Sequence, residues 1–336
     1  MYEIRICRSD EKPLLLNFLH DSWSHNHIFL RDESVLQFQH LQGNYLNFAV
    51  AYHVPSKSFH GVLGFISPSF YIRGKVSKGD ELWLALWKVE KNLAENNSLG
   101  LDLLKYLEER YEPKRTSAIG INDQVANLYR LIGFKLATMN QWFIPNPQKT
   151  EFRIGHNLHS INSNLPRDNT HVNISENSFE DFGDNLINFK EIGSKSSKDY
   201  IIERYAKHPR YLYQCLLFHY KKDLIGAAVG RSVTAKDSSA FRITDLWIKE
   251  TESCSIGCAL QKFLIAKNLE YVDFVEFGWS AMKLQMNGFS KSTVDAYVPH
   301  LFEPFVHSKV EVKLAYRGEE GFKCTKADSD LDRPNI

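Results

Sequence analysis

The chain has 336 residues, 43% of them hydrophobic, which is enough for two packed cores and excludes a wholly disordered protein. Its 41 basic and 40 acidic side chains leave a net charge of +1, so no global field draws it to nucleic acid or anionic lipid. The opening MYEIRICRSDEKPLLL scatters charges through its apolar residues, and no run of about 18 apolar residues occurs, so we expect a soluble cytoplasmic protein without membrane insertion. The five cysteines (Cys7, Cys215, Cys254, Cys258, Cys324) are odd in number and form no C-x-x-C pair, which argues against a disulfide framework or zinc ribbon; no metal is expected.

In chain order, the first half predicts a strand at 2–7, helices at 10–23 and 34–42, and a hairpin of alternating strands at 47–53 and 61–67 across Pro55-Ser56-Lys57-Ser58. A strand at 81–89 feeds a loop, after which Leu99, Leu103, Leu104 and Leu107 recur at helical spacing. A short strand at 116–121 follows. Asp123 then caps a helix that stops at Gly133, and the chain returns as one strand over 134–144. Pro145, Pro147, Pro166 and many Asn and Ser mark a connecting stretch with one strand-like piece at 152–154.

The order then recurs: strand 171–174, helix 198–206, strands 213–220, 224–231 and 241–248, helix 256–268, strand 272–277, a helix ending at Gly288-Phe289 and two last strands. Leu86-Trp87 matches Leu246-Trp247, and Gly133-Phe134 matches Gly288-Phe289. Between these pairs lies the informative one. Glu95-Asn96-Asn97-Ser98-Leu99-Gly100 and Glu252-Ser253-Cys254-Ser255-Ile256-Gly257 share the form E-x-x-S-x-G before a helix. Small residues at a helix start expose backbone N–H groups at its positive end and so form an anion cradle. We therefore expect two copies of one α/β domain, 1–155 and 171–316, joined by a linker at 156–170 and followed by a mobile tail at 317–336.

These motifs, in this order, resemble the GNAT superfamily of acyl-CoA-dependent N-acyltransferases, present as a tandem pair over nearly all of 1–155 and 171–316. The family's pyrophosphate loop reads Q/R-x-x-G-x-G/A, and it carries Asn, a Tyr seven residues on, then Gly-Phe. The first copy has Asn122, Tyr129 and Gly133-Phe134; the second has Phe277 and Leu284 at the first two places. Both loops carry glutamate where the family has a basic or amide residue, and a carboxylate about 7 Å from a phosphate costs about 2 kcal/mol at an effective dielectric near 20 unless it turns to solvent.

The resemblance implies two α/β (α+β) domains, each a mixed, mostly antiparallel sheet flanked by helices. It implies acetyl-CoA or another acyl-CoA as cosubstrate, contacted by Trp87, Lys88, Val89, Asn97, Ser98, Leu99, Gly100 and Asn122, with Ser255 and Gly257 in the second loop. It also implies a backbone amide at Lys88 or Val89 for the thioester oxygen and the Tyr129 hydroxyl as acid for the leaving sulfur.

For the base, His25 and His27 lie in the loop before the second helix, and Glu81 begins the strand that leads to the cradle. In the second copy Arg204, His208, Arg210 and Tyr211 suit a phosphorylated or sugar-bearing acceptor, since guanidinium forks bind phosphate and aromatic faces stack on sugars. The phrases W-x-x-N-H at Trp23–His27, R-Y-x-x-H-P-x-Y-x-Y at Arg204–Tyr213 and Leu301-Phe302-Glu303-Pro304-Phe305 resemble a tandem subgroup associated with bacterial surface-polysaccharide clusters. That implies a small-molecule, nucleotide-linked amino-sugar acceptor, with oligomeric state left open. Two alternatives stand beside it: aminoacyl transfer from charged tRNA to a cell-wall precursor, disfavoured by the absence of basic runs, and a degenerate binding module.

Overall fold

The computed structural model describes residues 1–90, 98–160, 172–186, 189, 195, 197–249, 255–329 and 331–332. Its strands form two sheets of eight. The first runs β1 (Tyr2–Arg8), β3 (Tyr45–His53), β4 (Ser58–Ile66), β5 (Glu81–Val89), β6 (Arg115–Ile119), β15 (Lys313–Gly318), β7 (Lys135–Thr138), with β2 (Leu41–Gln42) beside β3. The second runs β14 (Ser290–Lys291), β8 (Asn140–Pro145), β13 (Tyr271–Phe277), β12 (Ser238–Ile248), β11 (Asp223–Ala235), β10 (Gln214–Tyr220), β9 (Val172–Asn177), with β16 (Cys324–Thr325) beside β13.

The sheets have corresponding strand orders but trade one strand each. The run 134–144, expected as a single strand, is broken at Met139: β7 stays in the first sheet, whereas β8 inserts between β13 and β14. In return β15 inserts between β6 and β7. Residues Trp142, Phe143 and Ile144 are 1%, 0% and 0% exposed, so both faces of β8 are covered. A strand apolar on both faces belongs inside a sheet, which is where β8 lies. A cut at residue 155 therefore does not separate the two sheets.

Each sheet carries helices on both faces. Along β3, Phe48 and Val50 point to one face, beneath α1 (Lys12–Ser22), α2 (Ile28–Arg31) and α3 (Glu33–His40). Ala49 and Ala51 point to the other, beneath Leu103 and Leu107 of α5 (Leu99–Tyr111) and Tyr129 of α6 (Asp123–Leu131). In the second sheet α7 (Phe179–Leu186) and α8 (Lys198–Ile201), the latter continued by a π-helical turn at Ile202–Ala206, cover one face. The opposite face is covered by α9 (Gly257–Ala266) and α10 (Ala281–Met286). The helix α4 (Pro68–Arg73) joins the halves, its Tyr71 ring meeting Tyr200 of α8 edge-on at 6.1 Å. Cys7, Cys215, Cys258 and Cys324 are buried thiols outside any disulfide, and Cys254 lies outside the described residues.

Two expected loops are built into the core instead. Residues 152–154 form no strand; the backbone N–H groups of Arg153, Ile154 and Gly155 donate to the Glu270 carboxylate at 2.7 to 3.2 Å, and Leu158, expected in the linker, is buried. The tail expected to be mobile packs through its described residues. Phe322 meets Phe277 and Tyr316, β16 pairs with β13, and Lys326–Ser329 make a 3-10 turn. Two of its carboxylates are buried: Asp328 pairs with Lys195, and Asp332 accepts from Arg231 at 3.0 Å and from the Tyr213 hydroxyl at 2.7 Å.

Candidate active site

Strands β5 and β6 run parallel but pair only over Glu81–Leu84 against Arg115–Ala118. Beyond that point they part. The cause is visible on the other edge of β5, where Leu63 faces Trp87 but Phe65 faces Leu84, so Ala85 and Leu86 stand opposite Gly64 alone. Such a bulge bends the strand and adds local twist. The opened wedge holds a cavity of about 690 Å³, lined by both bulge residues and by Gly120, Ile121 and Asn122 past the end of β6. A stretch of strand edge without a partner strand thus faces a cavity, a position from which backbone amides can bind a carbonyl oxygen.

The first-copy residues gather around this wedge on two sides. On the α5 and α6 side, Gly100 sits so close to β5 that an added Cβ would lie 3.3 Å from Trp87 Nε1 and 3.4 Å from Val89 Cγ2. The Trp87 ring meets the Tyr129 ring edge-on at 5.5 Å, and Tyr129 in turn packs on Phe134 at 4.9 Å. This is the physical content of the Tyr and Gly-Phe spacing. Tyr129 is 2% exposed, and burial raises its pKa, so the phenol keeps its proton at neutral pH. It is not among the residues that line the cavity. Asn122 caps α6, its side-chain oxygen accepting from Val125 N–H at 2.9 Å, and also lines the cavity. Ser98 is exposed at the α5 start and donates to Asp102 at 2.9 Å; Asn97 lies outside the described residues. Lys88 and Val89 pair with Val62 and Gly61, beyond the bulge residues that reach the cavity.

On the other side, Trp23 and His27 line the cavity. His27 is 1% exposed, and its Nδ1 accepts from Phe29 N–H at 3.2 Å as the cap of α2. An imidazole that accepts at Nδ1 carries its proton on Nε2, so toward a substrate it is a donor and not the expected base. His25 is exposed and bonds to His20 at 3.1 Å. Glu81 lies four residues before the bulge, roughly 13 Å of extended chain, and is ion-paired with Arg115. It is not among the lining residues. Among the lining residues that sequence reasoning passed over are His300, Lys326 and Leu331, from the C-terminal part of the chain.

The second copy has the same parting and a different content. Pairing of β12 with β13 stops at Ile243 and Phe274, and Thr244 is the extra residue of a bulge against β11. Because β8 occupies one edge of β13 as far as Glu276, β16, paired with Glu276 and Phe277, takes the edge that β12 leaves. The chain's own tail therefore fills this wedge. The helix start is likewise occupied: Ile256 N–H donates to Asn287 at 3.1 Å, Gly257 N–H to Ser255 Oγ at 3.2 Å, and residues 255–257 are buried.

None of Arg204, His208, Arg210 and Tyr211 lines the cavity. Arg204 is 2% exposed, donates to Ala327 O at 3.2 Å and lies 5.1 Å from the Tyr71 ring centre. His208 stacks on Tyr211 at 5.1 Å, and burial, reinforced by Arg204, lowers its pKa to about 3. Tyr211 donates to Glu303 at 2.8 Å under the Arg231 guanidinium, and Arg210 pairs with Glu303 at 3.1 Å. These groups hold tail and halves together, a structural use of the chemistry that suggested an acceptor site. Among the described residues no cluster of three or more His, Cys, Asp or Glu is placed to hold a metal, and no helix is long and apolar enough to cross a membrane.

No family model and no curated protein matches the sequence. Solved structures do match. A GCN5-related N-acetyltransferase from Anabaena variabilis superposes with a TM-score of 0.54 at 13% identity, over 94% of this chain and 72% of that one. A probable N-acyltransferase from Enterococcus faecalis, a conserved protein of unknown function, gives 0.56 at 9% identity over 96% and 73%. A GCN5-related N-acetyltransferase from Sphaerobacter thermophilus gives 0.50 at 10% identity over 95% and 97%. At these identities the likeness shows the fold: mixed α/β, with two GNAT-like sheets flanked by helices, as the resemblance in sequence implies.

Proposed function

We propose that the protein is an acyl-CoA-dependent N-acyltransferase working at the wedge between β5 and β6, and that its second wedge is non-catalytic. The observation that carries this reading is the parting of β5 from β6 at the Ala85–Leu86 bulge, with a 690 Å³ cavity in the opening. The acyl donor would lie along the unpaired edge of β5, its phosphates at the α5 start near Ser98 and Gly100. An acceptor amine would approach from the side of Trp23 and His27. A backbone N–H at the bulge would polarise the acyl carbonyl, and Tyr129 would supply the proton that the leaving sulfur requires.

For the acceptor we infer an amino sugar, nucleotide-linked, N-acylated in the cytoplasm before assembly of a surface polysaccharide. What supports it is the rim: Trp23 is 43% exposed beside polar Asn122, Asp123 and Lys313, a combination suited to a sugar ring and its hydroxyls. A net charge of +1 gives no support to a tRNA-borne donor. The test is thiol release from acetyl-CoA against a panel of amino-sugar nucleotides, simple amino sugars and unrelated amines, with calorimetry for donor binding. Expected are saturable release with an amino sugar and one donor bound per chain. No binding at high micromolar acetyl-CoA would remove the reading.

A further inference from the structure

The tail does more than close the second wedge, because Lys326 and Leu331 also form part of the wall of the first cavity. Lys326 is 8% exposed. Its Nζ donates to the carbonyl oxygen of His300, another lining residue, at 2.7 Å, and among the described residues it forms no ion pair with a carboxylate. The same carbonyl accepts from Arg242 Nη1 at 2.7 Å, so a guanidinium that is itself paired with Asp273 stands beside the amine. A buried ammonium that pairs directly with no carboxylate among the described residues and has a cation for a neighbour is unfavourable, and the group relieves it by giving up its proton.

Three other titratable groups on this wall, His27, Asp123 and His300, are disfavoured as bases by their surroundings. His27 accepts at Nδ1 from Phe29 N–H, so its other ring nitrogen carries the proton and it is not poised to take one. Asp123 is exposed and paired with Lys313. Burial, then Lys326 and Arg242, lower the pKa of His300 to about 2, which leaves a weak base. We propose that Lys326 is the catalytic base that takes a proton from the ammonium group of the acceptor, an assignment that rests on acyl transfer at this cavity.

The step balances as follows. Neutral Lys326 accepts one proton and later returns it to solvent; the freed nitrogen bonds to the acyl carbon as the carbon–sulfur bond breaks. The second proton of that nitrogen passes, with Tyr129 as donor and recipient, to the departing sulfur, so the products are an amide, a free thiol and one proton in solution. Burial, followed by the Arg242 charge, brings the pKa of Lys326 down to about 7, against the raising influence of Asp332 and Asp273 and with Arg231 lowering it further. Across the cavity the charged or titratable groups are His27, Asp123, Glu311 and Lys313. The active form is the deprotonated one, so kcat rises with pH through about 7 and then levels.

The experiment is a kcat–pH profile of the full chain and of Lys326→Met and Lys326→Ala, with ethylamine as rescue agent and acetyl-CoA as donor. Expected are a hundredfold or greater fall in kcat with KM for acetyl-CoA within twofold, loss of the limb near neutrality, and at least tenfold recovery of Lys326→Ala by ethylamine. A variant that keeps its rate and its pH limb overturns the base while leaving acyl transfer intact. A wild-type chain that consumes no acetyl-CoA with any amine overturns both. Should the variants fail to fold, the wild-type protein labelled with ¹³C at lysine Cε decides by NMR: one lysine titrating near neutrality supports the assignment, and none below pH 9 overturns it.

Discussion

Two wedges of the same design lie in this chain, and they hold different things. Each forms where a bulged strand parts from its parallel neighbour: β5 from β6 after Leu84, and β12 from β13 after Ile243. In the first the opening is a cavity, with the exposed Ser98 at the adjoining helix start. In the second the opening receives β16, and two of the helix-start amides are bonded to Asn287 and Ser255. The lesson is that a repeated backbone device sets where a ligand can bind, while the occupants of the opening decide whether one does.

The comparison breaks most forcefully at the tail. Replacing Asp332 by Asn leaves the buried Arg231 without its counter-charge, and the expected loss is about 3–5 kcal/mol of stability, read as a fall in Tm or denaturant midpoint. The pH dependence has a definite sign. Burial opposes ionisation of Asp332, but the charge and hydrogen bonds of Arg231 outweigh it and hold its pKa at about 2. Its contribution is thus present above the unfolded carboxylate range and is lost as pH falls from about 4 toward 2. A melting temperature in the wild-type chain that stays level across that window would contradict the pairing.

Next in size is the chemistry assigned to one wedge only. Tyr129→Phe should lower kcat about a hundredfold with KM for acetyl-CoA unchanged, whereas Leu284→Ala, at the corresponding place in the second copy, should cost about 2–5 kcal/mol of stability and leave kcat alone. Gly100→Glu puts a side chain against Trp87 and Val89 and should weaken acetyl-CoA binding at least tenfold by calorimetry. Asn287→Ala, which frees the Ile256 amide, should leave that affinity unchanged. Smallest is Arg210→Ala: its pairs with Glu303 and Asp32 are partly exposed, so under about 1 kcal/mol of stability is expected, with turnover intact. A turnover loss there would return the acceptor site to the second copy.

The parts of the molecule legible in sequence were local. The leucines of α5 and the spacing of Asn122, Tyr129 and Gly133-Phe134 report a helix face and a turn and stand where the pattern implies, while residues 47–53 form the expected strand but with both faces covered. What escaped depends on partners far along the chain. The run 134–144 holds neither glycine nor proline to show that it changes sheets at Met139. The tail was expected to be mobile because Lys195, Arg231 and Tyr213, which receive Asp328 and Asp332, are 101 or more residues away. Arg204 and Tyr211 were legible as groups that bind anions and rings, but their addressees are Ala327, Glu303 and Arg231 of the same molecule. Lys326 carried only the faint signal of Cys324, Ala327 and Leu331 recurring at helix-like intervals beside it.

The traded strands also impose an order on how the protein can be made. β15, which lies between β6 and β7, begins at residue 313, whereas β7 ends at residue 138. On a ribosome adding about 5–20 residues per second, the first sheet must wait roughly nine to thirty-five seconds with an interior place vacant. β8 waits with it, apolar on both faces, until β13 emerges. The first sheet therefore cannot be finished before most of the second has been made, and any chaperone that attends the synthesis would have to cover β8 and the gap between β6 and β7.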